Sequence, residues 1–176
     1  LIAGLIAIFI YITFRFEFSF ALGAIAALVH DLVIVIGITV LCGLELNLIL
    51  VGAFLTIAGY SINDTIVVFD RIREGLRNQR GDQNTIMNVA INSTLSRTIL
   101  TSLTTLLTVI SLFLFGGPSL RDFSFAIIIG VIVGTYSSIF VASPIVAFWA
   151  RFKGINLRRQ ILDADQEAVD PTAVSD

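Results

Sequence analysis

The sequence predicts an all-α fold, a polytopic bundle of helices that cross a membrane. Of the 176 residues, 56% are hydrophobic and 14% are charged, and the mean hydropathy is +0.95. Soluble domains average about 45–50% apolar and about 25% charged residues. The apolar residues also lie in long runs, and roughly 20 consecutive ones suffice for a membrane-spanning helix. The net charge of −2 gives no indication of nucleic-acid binding.

Five apolar segments follow one another within a predicted transmembrane domain of residues 1–160. The first, residues 1–14, is shorter than a full span, and the chain begins inside it without an initiator Met. We therefore expect a truncated helix at the start of a fragment. Full spans are expected over residues 20–42, 48–69, 98–115 and 123–149.

Two polar regions complete the predicted domain organisation. Residues 70–96 contain two short amphipathic stretches, which we expect to lie on the membrane surface and connect two spans. Residues 161–176 carry five acidic residues and Pro171 with few apolar ones, so we expect a disordered acidic tail.

The basic residues predict the orientation. If the spans alternate, nine basic residues fall on one side of the membrane and Arg121 alone falls on the other. The positive-inside rule makes the crowded side cytoplasmic. The chain is thus expected to be a multi-pass membrane protein with a cytoplasmic C-terminus.

Asp64 is the most informative residue, because it lies inside the apolar 48–69 span. An ionised carboxylate at the bilayer centre costs roughly 2.5–3.5 kcal/mol, and such residues are functional by default. We interpret Asp64 as a titratable, proton-handling group; the alternative is a structural carboxylate bonded to its neighbours. Residues at a spacing of four share its face: Gly52, Thr56, Tyr60 and Asp64, with Gly59 and Asn63 beside them.

Arg97 and Asp31 are further candidates for a proton pathway. Arg97 begins the next span, close enough to the interface for its long side chain to reach Asp64, or instead to reach lipid phosphates. A threonine stripe follows it. Asp31 lies in the middle of the 20–42 span, where it is either part of the proton path or a buried hydrogen-bonding group. His30 faces another side, so no metal site is expected.

Small residues predict where helices pack closely. Gly52 lies on the Asp64 face with Gly59 beside it, and Gly130 and Gly134 form a small-xxx-small pair in the last span. Pro144 predicts a kink there. Cys42 is the only cysteine, so no internal disulfide is possible. Nothing in the sequence indicates a cofactor or an enzyme.

Four ordered motifs carry a resemblance to a known family. They are GYSINDTIVVFDRIREGLR at residues 59–77, LVHD around Asp31, STLSRTILTSLTTLL at residues 93–107 and GVIVGTYSSIF at residues 130–140. Together they resemble the SecF branch of the SecD/SecF protein-export family, from residue 1 to about residue 149. SecD has a different string in place of GYSIND.

The resemblance implies more than the residues alone do. It implies half of an RND-type transporter that assists protein translocation, driven by the proton motive force, together with SecD and the SecYEG translocon. Asp64 and Arg97 match positions implicated in proton passage at the SecD–SecF interface. The family's first span and extracytoplasmic domain, which would meet the exported polypeptide, are not in this sequence. Protons and membrane lipid are the other expected partners.

Three other functions compete with this interpretation. One is a proton-coupled exporter of small molecules with the same RND-like build, and another is a structural scaffold that holds SecD. The third is an intramembrane aspartyl protease using Asp31 and Asp64. Such proteases need a Gly-x-Gly-Asp context, whereas Asp64 follows Ser61-Ile62-Asn63 and Asp31 follows His30.

Overall fold

The computed structural model describes residues 2–169, which form seven α-helices and one π-helical segment without a β-strand. In chain order they are α1 (Ile2–Arg15), α2 (Phe18–Leu41), α3 (Leu48–Asn78), α4 (Gln83–Phe115), α5 (Pro118–Ser137), the π segment (Ser138–Ala142), α6 (Ser143–Lys153) and α7 (Leu157–Val169). The predicted all-α fold class is therefore confirmed.

Four helical units of the described residues are long and apolar enough to cross a membrane. They are α2, α3, α4 and the continuous rod Pro118–Lys153, which joins α5, the π segment and α6; α1 is shorter. The π segment ends two residues before Pro144. Proline has no N–H to donate to the preceding turn, and the wider π turn occurs where the sequence predicts a kink.

The predicted surface helices of residues 70–96 are instead continuations of spans. α3 runs unbroken to Asn78, and α4 begins at Gln83. Ile72 and Leu76 are completely buried against the bundle, which keeps the end of α3 helical instead of releasing it to the membrane surface. A short turn separates α3 from α4. Asp82 is the N-cap of α4, and its carboxylate accepts a 3.0 Å hydrogen bond from the N–H of Thr85.

The predicted disordered tail also needs correction where the structure describes it. Residues 161–169 belong to α7, whose Leu157 and Ile161 are buried against the bundle. Gln160 of this helix accepts a 2.9 Å hydrogen bond from Ser19 of α2. The acidic charge suggested disorder, but two apolar residues spaced by four anchor one face of a helix. Residues 170–176 lie outside the described residues.

The rod Pro118–Lys153 is central to the bundle, because its first part, α5, packs against α2, α3 and α4. Close packing depends on glycine: a Cβ at Gly130 would approach three side-chain atoms of Ile57 to less than 3.0 Å. α4 is the least buried of the spanning helices. Most of the surface of α4 is therefore not covered by the other described helices.

Candidate functional site

Asp64 is buried where three elements meet. Asp64 lies in the middle of the long helix α3 and is 7% exposed. Its Oδ2 accepts a 2.5 Å hydrogen bond from Ser138 at the start of the π segment, and its Oδ1 accepts a 3.1 Å bond from Thr98 of α4. Both carboxylate oxygens therefore have hydroxyl donors from neighbouring elements.

Asp31 is a second buried carboxylate, at 0% exposure on α2. Its Oδ2 accepts hydrogen bonds from Ser61 of α3 and, at 2.7 Å, from Ser137 of α5. Its Oδ1 lies 3.0 Å from Nδ1 of His30, which is partly exposed. Asp31 thus joins α2 to the two helices beside it.

Consecutive serines link the two carboxylates. Ser137 bonds to Asp31, and Ser138 bonds to Asp64. Both serines are completely buried, and the change from α-helix to π-helix occurs between them. Single π turns within α-helices are frequent at functional sites.

Arg97 does not pair directly with Asp64. It is exposed, and within residues 2–169 no hydrogen bond or ion pair joins its guanidinium to the carboxylate. Its charge acts on Asp64 only electrostatically. The threonine stripe beyond it is exposed or half-buried, and its hydroxyls bond back to carbonyls of their own helix: Thr101, Thr105 and Thr108.

The four predicted packing glycines occupy two kinds of environment. Gly130 packs against Ile57, and a Cβ at Gly134 would lie 3.2 Å from Cβ of Ser61. By contrast, a Cβ at Gly52 or Gly59 would meet no atom of the described chain within 4 Å. The first pair packs inside this bundle, and the second pair lies on an open face of α3.

Sequence reasoning missed the hydroxyl groups that contact the carboxylates. Thr98 follows Arg97 directly, yet it is Thr98 that faces Asp64. The small residues Gly130 and Gly134 predict only helix packing for this face, including Ser137 and Ser138 further along it. A stronger signal was available, because two adjacent serines in an apolar span place two hydroxyls on neighbouring sides of one helix.

No group of three or more potential metal ligands occurs in the part of the chain that the structure describes. The site itself contains two buried carboxyl groups, Asp31 and Asp64, and a carboxylate can bind a proton. Hydroxyl donors, each with one hydrogen and two lone pairs, can serve either the ionised or the protonated carboxyl group.

These features define a class of protein: polytopic helical membrane proteins with ionisable groups held inside the bundle. The comparisons identify the family within it. The family described as protein export membrane protein SecD/SecF, C-terminal, matches residues 1–152. The chain belongs to this family.

Curated relatives from three bacteria share about half of the aligned residues. The protein translocase subunit SecF of Rhodothermus marinus is 53% identical over 153 residues, which cover 83% of this chain and 50% of the relative. That of Petrotoga mobilis is 53% identical (82% and 48% covered), and that of Thermodesulfovibrio yellowstonii is 54% identical (83% and 50% covered). The chain thus spans about half the length of the curated relatives it matches.

A solved structure has the same fold. The crystal structure of SecDF in the super-membrane-facing form superimposes with a TM-score of 0.77 at 46% sequence identity. The match covers 91% of this chain and 21% of that chain. The likeness therefore concerns one membrane portion of a much larger protein.

Proposed function

We propose that this chain is the membrane portion of a subunit that assists protein translocation across the membrane, using the proton motive force. The names of its relatives, protein translocase subunit SecF, support the first part. The proton coupling rests on Asp64. We include Asp31 in the proton pathway because its carboxylate is bound by the same serine pair.

The hydrogen bonds of Asp64 are the observation that carries the proposal. The ionised carboxylate of Asp64, on α3, accepts hydrogen bonds from a hydroxyl of α4 and from a hydroxyl of the π segment. Charge-assisted hydrogen bonds of this kind are roughly twice as strong as neutral ones. Protonation of Asp64 weakens both contacts at once, so it changes how firmly three elements of the bundle hold together.

The available energy is sufficient for such a change. A membrane potential of 100 mV supplies about 2.3 kcal/mol for each proton that crosses it. One pKa unit corresponds to about 1.36 kcal/mol. The energy of one proton is thus roughly 1.7 times that of one pKa unit. It can change the equilibrium constant between two helix arrangements by nearly two orders of magnitude.

Arg97 supplies the charge that responds to Asp64. A guanidinium at membrane depth needs compensation, and no carboxylate of the described chain contacts it. α3 also has an open face that carries small residues, Gly52 and Gly59. We propose that a membrane helix of SecD covers this face, and that protonation of Asp64 removes its electrostatic attraction on Arg97 and lets the helices rock.

The remaining partners follow from the family. The cytoplasmic side is assigned to the ends of α3 and α6, where arginines are concentrated, so that the C-terminus is cytoplasmic in the inner membrane. Exported polypeptide would meet an extracytoplasmic domain beyond this sequence, and the SecYEG channel would conduct it. Motion of the bundle would reach that domain through the opposite, outward-facing ends of the helices.

The substitution Asp64→Asn in the full-length protein tests the proposal. It should abolish the dependence of export on the proton gradient, while the variant remains in the membrane in normal amounts. Glu74→Gln on the exposed part of the same helix is the matched control and should retain export. Full gradient-dependent export by Asp64→Asn would reject proton handling and leave a scaffold role.

A further inference from the structure

Ser137 and Ser138 point toward different helices although they are consecutive. Successive residues of a helix differ in direction by about 100°, so that one serine faces Asp31 of α2 and the other faces Asp64 of α3. Both hydroxyls are buried, and they lie on the same short stretch of backbone. A displacement of this stretch therefore alters both carboxylate contacts.

Each serine has a choice of two acceptors. Besides Asp31, the Ser137 hydroxyl lies 3.2 Å from the carbonyl oxygen of Gly134, and besides Asp64, that of Ser138 lies 3.0 Å from the carbonyl oxygen of Thr135. A hydroxyl has a single hydrogen to donate, and an ionised carboxylate is the stronger acceptor. Once a carboxylate is protonated, the serine hydrogen is free to turn to its own helix.

The backbone at this point is suited to a small rearrangement. Ser138 opens the π segment, and the Ser143 hydroxyl lies 3.4 Å from its carbonyl oxygen. Gly134 leaves little bulk between α5 and α3. Asp31 holds the preceding residue, Ser137, and so fixes the turn from which Ser138 reaches Asp64.

We propose that Asp31 and Ser137 are positioning residues for Asp64, acting through Ser138: they determine how readily Asp64 gains and loses its proton. This inference rests on the proposed function, since it assigns the supporting residues of the same site. It gives Asp31 a defined role, in which its carboxylate sets the position of the π segment.

Besides the serines, charged and titratable groups also lie near the two carboxylates and can affect their protonation. Within residues 2–169, His30 contacts Asp31, and the charge of Arg97 acts on Asp64. The remaining contacts are hydroxyls: Ser61 and Ser137 from α3 and α5 on Asp31, and Thr98 and Ser138 from α4 and the π segment on Asp64. Tyr136, next to the pair, is exposed.

Infrared titration of the Asp64 carboxyl group tests the inference in the full-length protein reconstituted with its SecD partner. Asp64→Asn identifies the band, and its intensity against pH gives the midpoint. The variants are Ser137→Ala, Ser138→Ala and Asp31→Asn, singly and in pairs. Ser124→Ala is the matched control, because Ser124 is equally buried on α5 but its hydroxyl, among the described residues, bonds only to the carbonyl of Leu120, at 2.7 Å.

The expected shifts differ between the variants. Ser138→Ala should move the midpoint by about one pH unit, the equivalent of one charge-assisted hydrogen bond. Ser137→Ala should move it by about half a unit although Ser137 does not touch Asp64, and Ser137→Thr, which keeps the hydroxyl, should restore it. Ser124→Ala should leave it unchanged. In a Ser137→Ala background, Asp31→Asn should have little further effect.

Three results would overturn the inference. If Ser137→Ala shifts the midpoint no more than Ser124→Ala, Ser137 does not position Ser138. If Asp31→Asn retains its full effect in the Ser137→Ala background, its charge acts through space and not through the serine pair. A complex without a titrating Asp64 band would reject the proposed function itself and this inference with it, whereas the first two results leave the proposed function intact.

Discussion

Thr98 of α4 donates a 3.1 Å hydrogen bond to Asp64 of α3, while Arg97, its neighbour in the sequence, makes no direct contact with that carboxylate. The two residues of α4 thus have different relations to Asp64. Thr98 is buried and bonds to it, and Arg97 is exposed and acts on it at longer range. A change at either position has a distinct expected outcome.

Replacing Thr98 by Val tests the direct contact. Valine has nearly the shape of threonine but lacks the hydroxyl, so one donor to the ionised Asp64 is lost. We expect gradient-dependent export to fall about five- to tenfold, the equivalent of about 1 kcal/mol. The control is Thr105→Val, at a half-buried site whose hydroxyl, within residues 2–169, bonds only to its own helix. Equal export by the two variants would contradict a role for Thr98.

Arg97→Met removes the long-range charge. If Arg97 responds to the state of Asp64, export and proton flux should both fall at least about tenfold, because the cation that the ionised Asp64 attracts is removed. Arg97→Lys should retain part of the activity. Arg121→Met, which removes a cation stacked on Phe113 at the other end of the bundle, should have a small effect. Normal proton flux in Arg97→Met would count against the assignment.

Substitution of a packed glycine and of an open-face glycine should have different effects. Gly130→Leu forces side-chain atoms into Ile57 and should destabilise the isolated chain by about 1–3 kcal/mol, as overpacked cores are. Gly59→Leu meets open space and should leave thermal stability in detergent unchanged. It should instead reduce the amount of SecD that co-purifies. Unchanged co-purification would show that the open face of α3 is not the SecD contact.

An ion pair close to the predicted membrane surface should support the bundle. Arg73 of α3 donates a 2.6 Å hydrogen bond to Glu17, which precedes α2, and both side chains are largely buried. Removing one partner of a buried pair costs up to about 3–5 kcal/mol, and Asp70, whose Oδ1 lies 3.9 Å from Nη1 of Arg73, offsets only part of that loss. Glu17→Gln should therefore lower the unfolding temperature markedly. The exposed pair of Arg71 with Glu74 is the control, and Glu74→Gln should change stability by less than about 1 kcal/mol.

The sequence predicted the parts of this structure that depend on local composition. Apolar runs gave the spans, and the cost of a carboxylate in lipid marked Asp64 and Asp31 as buried groups that need partners. The partners themselves depend on the rotation of each helix about its axis. One residue along α4 separates Thr98, which faces Asp64, from Arg97, which does not, and packing against α3 and α5 decides between them.

The ends of helices were harder to predict for a related reason. Beyond Asp70 the residues are mostly polar, and local composition favoured separate surface helices. The buried side chains of Ile72 and Leu76 keep α3 continuous through tertiary contacts. Leu157 and Ile161 act in the same way in α7, where the acidic composition alone predicted disorder.

Proton flux through the reconstituted full-length complex is the most direct test of the central claim that Asp64 handles protons. Vesicles containing wild-type protein should take up protons when a membrane potential is imposed, and those containing Asp64→Asn should show only the background leak of protein-free vesicles. Glu74→Gln should conduct like the wild type. Flux through Asp64→Asn equal to that of the wild type would contradict the account.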